Sequence, residues 1–106
     1  MIEQHMTYDL LPRTDAKAWE AFVKKAIGAV LKAKGIVEFR GYRNLLATPQ
    51  ICTATVWNSV ADWGTFSQSA EWQALEGELR TFVTNIRVEL WRPSPVVPEP
   101  LRPGKN

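Results

Sequence analysis

Hydrophobic and polar residues alternate along much of the chain, which is the pattern of β-strands buried on one side. Residues 2–11, 36–46 and 86–92 alternate in this way. Residues 50–58 are rich in β-branched side chains and are predicted to form a further strand. Gly41 lies inside the second of these strands, where glycine predicts a bulge or a close backbone approach. Four strands are therefore expected.

Residues 15–34 carry apolar side chains at spacings of three and four, the signature of an amphipathic helix. Thr14 or Asp15 can accept hydrogen bonds from the first free backbone N–H groups, so either residue is a candidate N-cap. Gly35 suits the left-handed conformation that commonly ends a helix. The pattern predicts one long helix between the first two strands.

A second helical pattern follows the third strand. Ser59 and Asp62 resemble a capping box, with Asp in place of the usual Glu. The apolar spacing continues to Val83, and residues 67–69 are polar enough to break the helix or to cap it again. Residues 84–85 are expected to end it.

The resulting order is strand, helix, strand, strand, helix, strand. This order predicts an α+β, ferredoxin-like β-α-β-β-α-β plait, a four-stranded antiparallel sheet with two helices on one face. The other face is expected to carry Trp57 and Trp91, a large exposed apolar patch. Burial against a second copy would remove that patch, and two-fold dimers are the commonest oligomers. We therefore expect a homodimer joined sheet to sheet.

The chain has 106 residues, enough for one domain, which we assign to residues 1–92. Residues 93–106 contain five prolines and form an extended tail that is expected to lie across the partner subunit. No apolar run reaches the ~18 residues of a membrane helix, and the N-terminus lacks the features of a secretory signal. No membrane association is therefore expected.

The formal net charge is only +2. The basic excess lies in the tail, so the folded part lacks the basic surface that nucleic-acid binding requires. Cys52 is the only cysteine, which excludes an internal disulfide and a multi-cysteine metal site. It is interpreted as a small core residue, and this cysteine usage fits a reducing cytoplasm.

Two segments carry a resemblance to a known family. They are Trp57-Asn58-Ser59 with Trp63, Phe66, Ser69 and Trp72, and the strand segment Phe39-Arg40-Gly41-Tyr42-Arg43. With the element order, they resemble the antibiotic-biosynthesis-monooxygenase-like branch of the dimeric α/β-barrel superfamily, over residues 2–92. The resemblance implies a homodimer with one pocket per subunit between sheet and helices. Members include cofactor-free oxygenases, haem-degrading enzymes and polyketide cyclases.

Some of these activities use residues that this sequence lacks, and others use residues that it has. Haem-degrading members have a Trp and, ten residues later, a His, where this sequence has Phe66 and Glu76. Cyclase-like members have a Tyr and a His where it has Phe66 and Trp72. The Asn and Trp of the cofactor-free oxygenases resemble Asn58 and Trp63, with one more residue between them here. The resemblance thus implies neither a cofactor nor a metal.

Cofactor-free oxygenation requires a dry aromatic pocket, a donor for a developing oxyanion and a base. Asn58 and Trp63 are the candidate catalytic donors, and His5 is the candidate base. The candidate substrate-binding residues are Tyr8, Arg40, Tyr42, Phe66 and Trp72. Arg40 suits an anionic substrate.

Structural roles remain open for all of these residues. Asn58 can be a turn residue at a strand end, and the aromatic residues can be core at helical spacing. Glu38 and Arg40 can pair across the dimer seam, and His5 can face the dimer barrel. The leading hypothesis is a cofactor-independent monooxygenase of a small aromatic or quinol-type molecule. The alternatives are a non-catalytic ligand-binding dimer and a structural dimer whose tail recruits a partner.

Overall fold

The computed structural model describes residues 1–104 of the chain. It contains β1 (Ile2–Leu10), α1 (Ala16–Leu31), β2 (Ile36–Arg43), β3 (Ile51–Trp57), α2 (Val60–Ser67), α3 (Ala70–Leu79) and β4 (Val83–Trp91). The strands form one antiparallel sheet in the order β2-β3-β1-β4. The predicted ferredoxin-like α+β fold is confirmed, with the second helix divided into two.

Side-chain caps explain where the helices begin. Asp15 caps α1 by accepting a hydrogen bond from the backbone N–H of Ala18 at 3.1 Å. Ser59 caps α2 in the same way. Ser69 caps α3 and also donates its hydroxyl to the carbonyl of Phe66 at 2.7 Å, so one serine ends α2 and starts α3. The predicted break at residues 67–69 is confirmed.

The register of the strands gives the sheet two chemically different faces. The first, which we call the helix face, carries Ile2, Gln4, Met6, Tyr8, Phe39, Ile51, Thr53, Thr55, Trp57, Val88 and Leu90. The second, the open face, has three rows: Glu38–Val56–Glu3–Trp91, Arg40–Ala54–His5–Glu89 and Tyr42–Cys52–Thr7–Arg87. Apolar residues dominate the helix face, whereas the open face mixes charged, polar and apolar residues.

The hydrophobic core lies between the helix face and the helices. Met6 and Tyr8 of the sheet pack with Phe22 of α1 and with Leu75 and Leu79 of α3. Residues of the loop before β4 close the same end, where Phe82 stacks against Phe22 and Trp19. Burial of large apolar side chains is the main stabilising contribution to such a fold.

Trp57 corrects one expectation from the sequence. It was expected on the exposed second face with Trp91, but it lies on the helix face and is only 1% exposed. Its ring stacks on Phe66 of α2 at 5.4 Å between centroids. Trp91 does lie on the open face and is 53% exposed. The exposed apolar patch is therefore smaller than the sequence suggested.

The structure differs from the sequence prediction at a bulge and at the end of a helix. Gly41 pairs regularly with Thr53, and the bulge of β2 falls between Ile36 and Glu38. The second helical pattern does not reach Val83, because that residue pairs with Leu10 at the start of β4.

The start of β4 holds a further irregularity. Asn85, expected to end the helix, has a φ of +59° and lies where the pairing between β1 and β4 shifts register. A β-bulge therefore occupies this position.

The proline-rich segment after β4 contains no helix or strand up to residue 104. Ser94 turns it back by accepting hydrogen bonds from the backbone N–H groups of Val96 and Val97. The segment then lines, with the open face of its own chain, a groove of about 680 Å³. Among residues 1–104, no helix is long and apolar enough to cross a membrane.

Candidate functional site

Two adjacent cavities lie between the helix face and the helices. The larger, which we call the Trp63 cavity, measures about 180 Å³ and is lined by Gln4, Met6, Trp63, Ser67, Trp72, Glu76, Leu79, Ile86 and Val88. The smaller, the Tyr8 cavity, measures about 60 Å³ and has an almost wholly apolar lining that includes Tyr8, Trp19, Phe22, Phe39 and Thr53. Both cavities share Met6, Trp72 and Leu79, so these three side chains separate them.

Gln4 brings the main polar group into the Trp63 cavity. It belongs to β1, on the same face as Met6 and Tyr8. The indole Nε1–H of Trp57 donates to the Thr55 hydroxyl at 2.8 Å, and that hydroxyl bonds to Gln4 Oε1 at 3.1 Å. Thr55 and Trp57 are buried, so this chain of hydrogen bonds satisfies polar groups that water cannot reach.

Two further polar side chains reach the cavity from the helices. Ser67 of α2 donates its hydroxyl to the carbonyl of Gly64 at 3.1 Å. Glu76 of α3 has one carboxylate oxygen on Arg80 Nη2 at 2.8 Å, one helical turn later. Glu76 is partly exposed and therefore stands at the rim of the cavity.

Tyr8 supplies a buried phenol to the Tyr8 cavity. Burial raises the pKa of Tyr8 to about 12, with a smaller contribution from Cys52. The phenol is therefore neutral at pH 7. The ring meets Trp19 edge-on at 6.0 Å between centroids, which fixes it against α1.

Phe66 and Trp72, two other aromatic residues predicted for the site, pack against each other. Phe66 of α2 contacts both Trp57 and Trp72, at 5.4 and 5.5 Å between ring centroids. Trp72 of α3 lines both cavities, and Trp63 of α2 lines the larger one. The structure thus brings Tyr8, Trp63 and Trp72 to neighbouring cavities, with Phe66 supporting Trp72 from behind.

Asn58 does not share a cavity with Trp63 in this structure. It is exposed, between the end of β3 and the N-cap of α2. Its backbone N–H donates to the carbonyl of Gly35 at 2.8 Å, which ties the two loops together. The geometry is that of the turn residue that the sequence left open as an alternative.

His5, Arg40 and Tyr42 lie on the open face, away from both cavities. His5 Nε2 is 3.0 Å from Glu3 Oε1, and its ring is 6.3 Å from that of Trp91. Arg40 pairs with Glu38 along β2, and this hydrogen bond is the main cause that raises the pKa of Arg40. The structure therefore does not bring these three residues together with Trp63.

The sequence analysis missed Gln4, Thr53 and Thr55, and it considered Glu76 only as the residue at the position of the His of haem-degrading members. One signal was available for the first three. Gln4 has the strand parity of Met6 and Tyr8, and the two threonines have that of Ile51 and Trp57. A polar residue at a buried parity must find a partner or a ligand, because an unpaired buried polar group is costly.

No protein-family model and no curated protein sequence matches the chain. Solved structures do match. One is an alanine-variant structure of SnoaB, a cofactor-independent oxygenase from Streptomyces nogalater, with a TM-score of 0.77 and 12% sequence identity. That match covers 92% of this chain and 97% of the SnoaB chain.

Two further neighbours have the same architecture. A candidate antibiotic biosynthesis monooxygenase from Deinococcus radiodurans matches with a TM-score of 0.76 and 14% identity, over 99% of this chain and 100% of that one. A dabb family protein with a ferredoxin-like fold from Mesorhizobium loti matches with a TM-score of 0.75 and 11% identity, over 88% and 96%. The chain has the fold of antibiotic-biosynthesis-monooxygenase-like proteins. The resemblance noted in the sequence is thereby confirmed at the level of fold, and the activity within that fold rests on the site.

Proposed function

We propose that this protein is a cofactor-independent monooxygenase of a small aromatic or quinol-type molecule. The observation that carries the proposal is the Trp63 cavity, enclosed by two indoles and holding a small number of polar groups. Sites for small molecules typically combine an apolar lining with a few placed polar groups. The fold that the chain shares with the oxygenase SnoaB supports the same class.

The reaction needs no external reductant. A base removes a proton from an activated CH₂ group, and the resulting carbanion transfers its electrons to O₂ and forms a carbon–oxygen bond. Protonation gives a hydroperoxide, which loses water to leave a carbonyl. The balance is CH₂ + O₂ → C=O + H₂O, so the substrate supplies all the electrons. The protein then has to exclude water, stabilise the oxyanion and move the proton.

The cavity contains candidates for two of these tasks. Trp63 and Trp72 provide flat surfaces for an aromatic ring, and the indole N–H of Trp63 is a donor. Glu76 at the rim is the candidate proton acceptor through the carboxylate oxygen that Arg80 does not bind. His5, the base proposed from the sequence, lies on the opposite face of the sheet and could serve only a site shared with another chain.

A non-catalytic ligand-binding protein is the second candidate. One observation favours it, because Glu76, the carboxylate that lines the cavity among residues 1–104, is already paired with Arg80. A cavity with a donor and no available base would hold a ligand without turning it over.

Oxygen uptake by the purified protein separates the two functions. The substrates are one-, two- and three-ring dihydroxyaromatics and an anthrone, and the variants are Trp63→Phe, Glu76→Gln and Asn58→Ala. Catalysis in the cavity predicts uptake that falls in the first two variants and persists in Asn58→Ala. Loss of uptake in Asn58→Ala alone would favour the pairing proposed from the sequence. Ligand binding without uptake by any substrate would favour the second candidate.

We also propose the homodimer, with the open face as its interface. The three rows of that face together contain acidic, basic and apolar side chains, and Trp91 remains half-exposed on it. A two-fold axis would bring the same surface of two copies together. Sedimentation equilibrium of the full chain and of Trp91→Asp tests this, since a buried unpaired carboxylate would weaken the dimer. Identical monomeric behaviour of both would contradict it.

A further inference from the structure

We infer that Gln4 is the hydrogen-bond donor that orients the ligand in the Trp63 cavity, and that Thr55 is the residue that positions it. The ligand class is a one- or two-ring molecule with a carbonyl or phenolate oxygen on the ring system. This inference rests on the proposed function insofar as the Trp63 cavity binds a ligand, and it adds which atom of the protein recognises that ligand.

The direction of the hydrogen-bond chain follows from what each group can do. An indole N–H can only donate, so the Thr55 hydroxyl accepts from Trp57 Nε1. The hydroxyl proton of Thr55 then needs an acceptor of its own, and Gln4 Oε1 lies 3.1 Å away. The reverse orientation of the Gln4 amide would leave that buried hydroxyl proton without this acceptor. The chain therefore fixes the carboxamide with its oxygen towards Thr55.

The nitrogen end of the carboxamide then points away from Thr55. Gln4 Nε2 carries two N–H donors and has no hydrogen-bond partner among residues 1–104. No buried side-chain nitrogen or oxygen in those residues lacks a partner, so Nε2 is not sealed off. Because Gln4 lines the Trp63 cavity, these two donors are available to a molecule bound there.

The dimensions of the cavity restrict what that molecule can be. Its volume of about 180 Å³ lies below the ~300–1,000 Å³ that is usual for drug-sized ligands. Met6, Trp72 and Leu79 close it towards the Tyr8 cavity. A one- or two-ring molecule therefore suits the space better than a linear three-ring one. The donors select for an acceptor oxygen on such a ring system.

A matched pair of probes tests the donor. 1-Tetralone and tetralin share two fused rings and differ by one carbonyl oxygen. Both are titrated into the full chain labelled with ¹⁵N, and the signals of the Gln4 side-chain amide and the Trp63 indole N–H are followed. We expect both probes to move the Trp63 signal, and only 1-tetralone to shift the Gln4 amide protons downfield.

Substitution of Gln4 gives the affinity test. Gln4→Met preserves the length of the side chain and removes the donor, so it should weaken 1-tetralone binding about three- to tenfold. Tetralin should bind the variant as it binds the natural sequence, to within about twofold. Equal changes for both probes would overturn the role of Gln4 and leave the cavity as a binding site. Absence of any Trp63 shift with either probe would overturn both the inference and the proposed function.

The ratio of the affinity for 1-tetralone to the affinity for tetralin also tests Thr55. Thr55→Val removes the hydroxyl and should reduce the preference for 1-tetralone over tetralin, whereas Thr55→Ser retains it and should restore the preference. Thr7→Val, on the open face, is the control for a threonine-to-valine change in the sheet. A preference that is unchanged in a folded Thr55→Val protein would contradict the positioning role. If Thr55→Val fails to fold, an altered preference in Thr55→Ser would contradict it instead.

Discussion

Gly35 gives the sharpest test of how the fold supports the loop beside the site. It has a φ of +87°, and an added Cβ would lie 2.5 Å from both Cβ and Cγ of Asp62. Real Cβ atoms essentially never approach other heavy atoms below 3.0 Å, so the loop or the start of α2 would have to move. The carbonyl of Gly35 also accepts the Asn58 N–H, so this movement would strain that hydrogen bond.

Two contributions make up the expected loss of stability in Gly35→Ala. A non-glycine residue in the left-handed region costs about 1–2 kcal/mol. Forcing a side chain into filled space costs about 1–3 kcal/mol. The free energy of unfolding should therefore fall by ~2–5 kcal/mol. For a chain of this size, each kcal/mol corresponds to a Tm change of about 4–8 °C.

Gly28→Ala is the matched control, with the opposite expected sign. Gly28 lies inside α1, and an added Cβ would meet nothing within 4 Å. Alanine there should stabilise the protein by about 0.5–1 kcal/mol, because glycine loses more chain entropy in a helix. Urea unfolding followed by circular dichroism at 222 nm measures both variants. A Gly35→Ala protein within about 0.5 kcal/mol of the natural sequence would refute the packing argument.

Three further predictions concern individual side chains. Ser69 accepts a hydrogen bond from the backbone N–H of Trp72 at 3.1 Å, so Ser69→Ala should lower stability by about 1 kcal/mol in thermal unfolding. It should also alter the near-ultraviolet circular dichroism of Trp72. No change in either measurement would contradict the double capping role of Ser69. The pKa of Tyr8 is about 12 in the fold and 10.0 as its ordinary value, so the folded protein binds the proton more tightly. The contribution of Tyr8 to stability should be constant below pH 10 and be lost as the pH rises towards 12, and Tyr8→Phe should lack that part of the fall in alkaline denaturation. Burial, aided by Glu89, raises the pKa of the Cys52 thiol, so iodoacetamide should modify it more slowly in the folded than in the urea-unfolded protein. Equal rates would contradict this, and protection that grows with protein concentration would support a dimer through the open face.

Local chemistry explains why most of the fold could be predicted from the sequence. Caps such as Asp15 and Ser69 act within three residues, so their effect can be predicted without knowledge of distant contacts. Strand alternation likewise assigned residues of the same strand to opposite faces. Alternation alone, however, does not say which faces of two strands coincide, since that depends on pairing register. The error over Trp57 and Trp91 has this origin, because each was assigned correctly within its own strand.

The site was harder to predict for the same reason. Trp63 was proposed from the family resemblance and Trp72 as an aromatic residue for the same pocket, and both do line the cavity. His5 and Asn58 were chosen for their chemistry, but their strand parity and loop position place them elsewhere. Cavity volumes depend on how side chains from three elements meet, which spacing within one element cannot specify.

Polar residues on the helix face connect the fold to the proposed chemistry. Thr55 is buried and makes two hydrogen bonds, one with Trp57 and one with Gln4, so its cost of burial is offset within the sheet. Gln4 differs, because among residues 1–104 only its oxygen is hydrogen-bonded, and its side chain lines the cavity walled by Trp63 and Trp72. The buried Thr55 hydroxyl accounts for the oxygen of Gln4, because it needs that acceptor, but no hydrogen bond within residues 1–104 accounts for the two N–H donors. A ligand oxygen would account for these donors, and the response of the Gln4 amide to 1-tetralone therefore tests the half of the carboxamide that the internal hydrogen bonds do not explain.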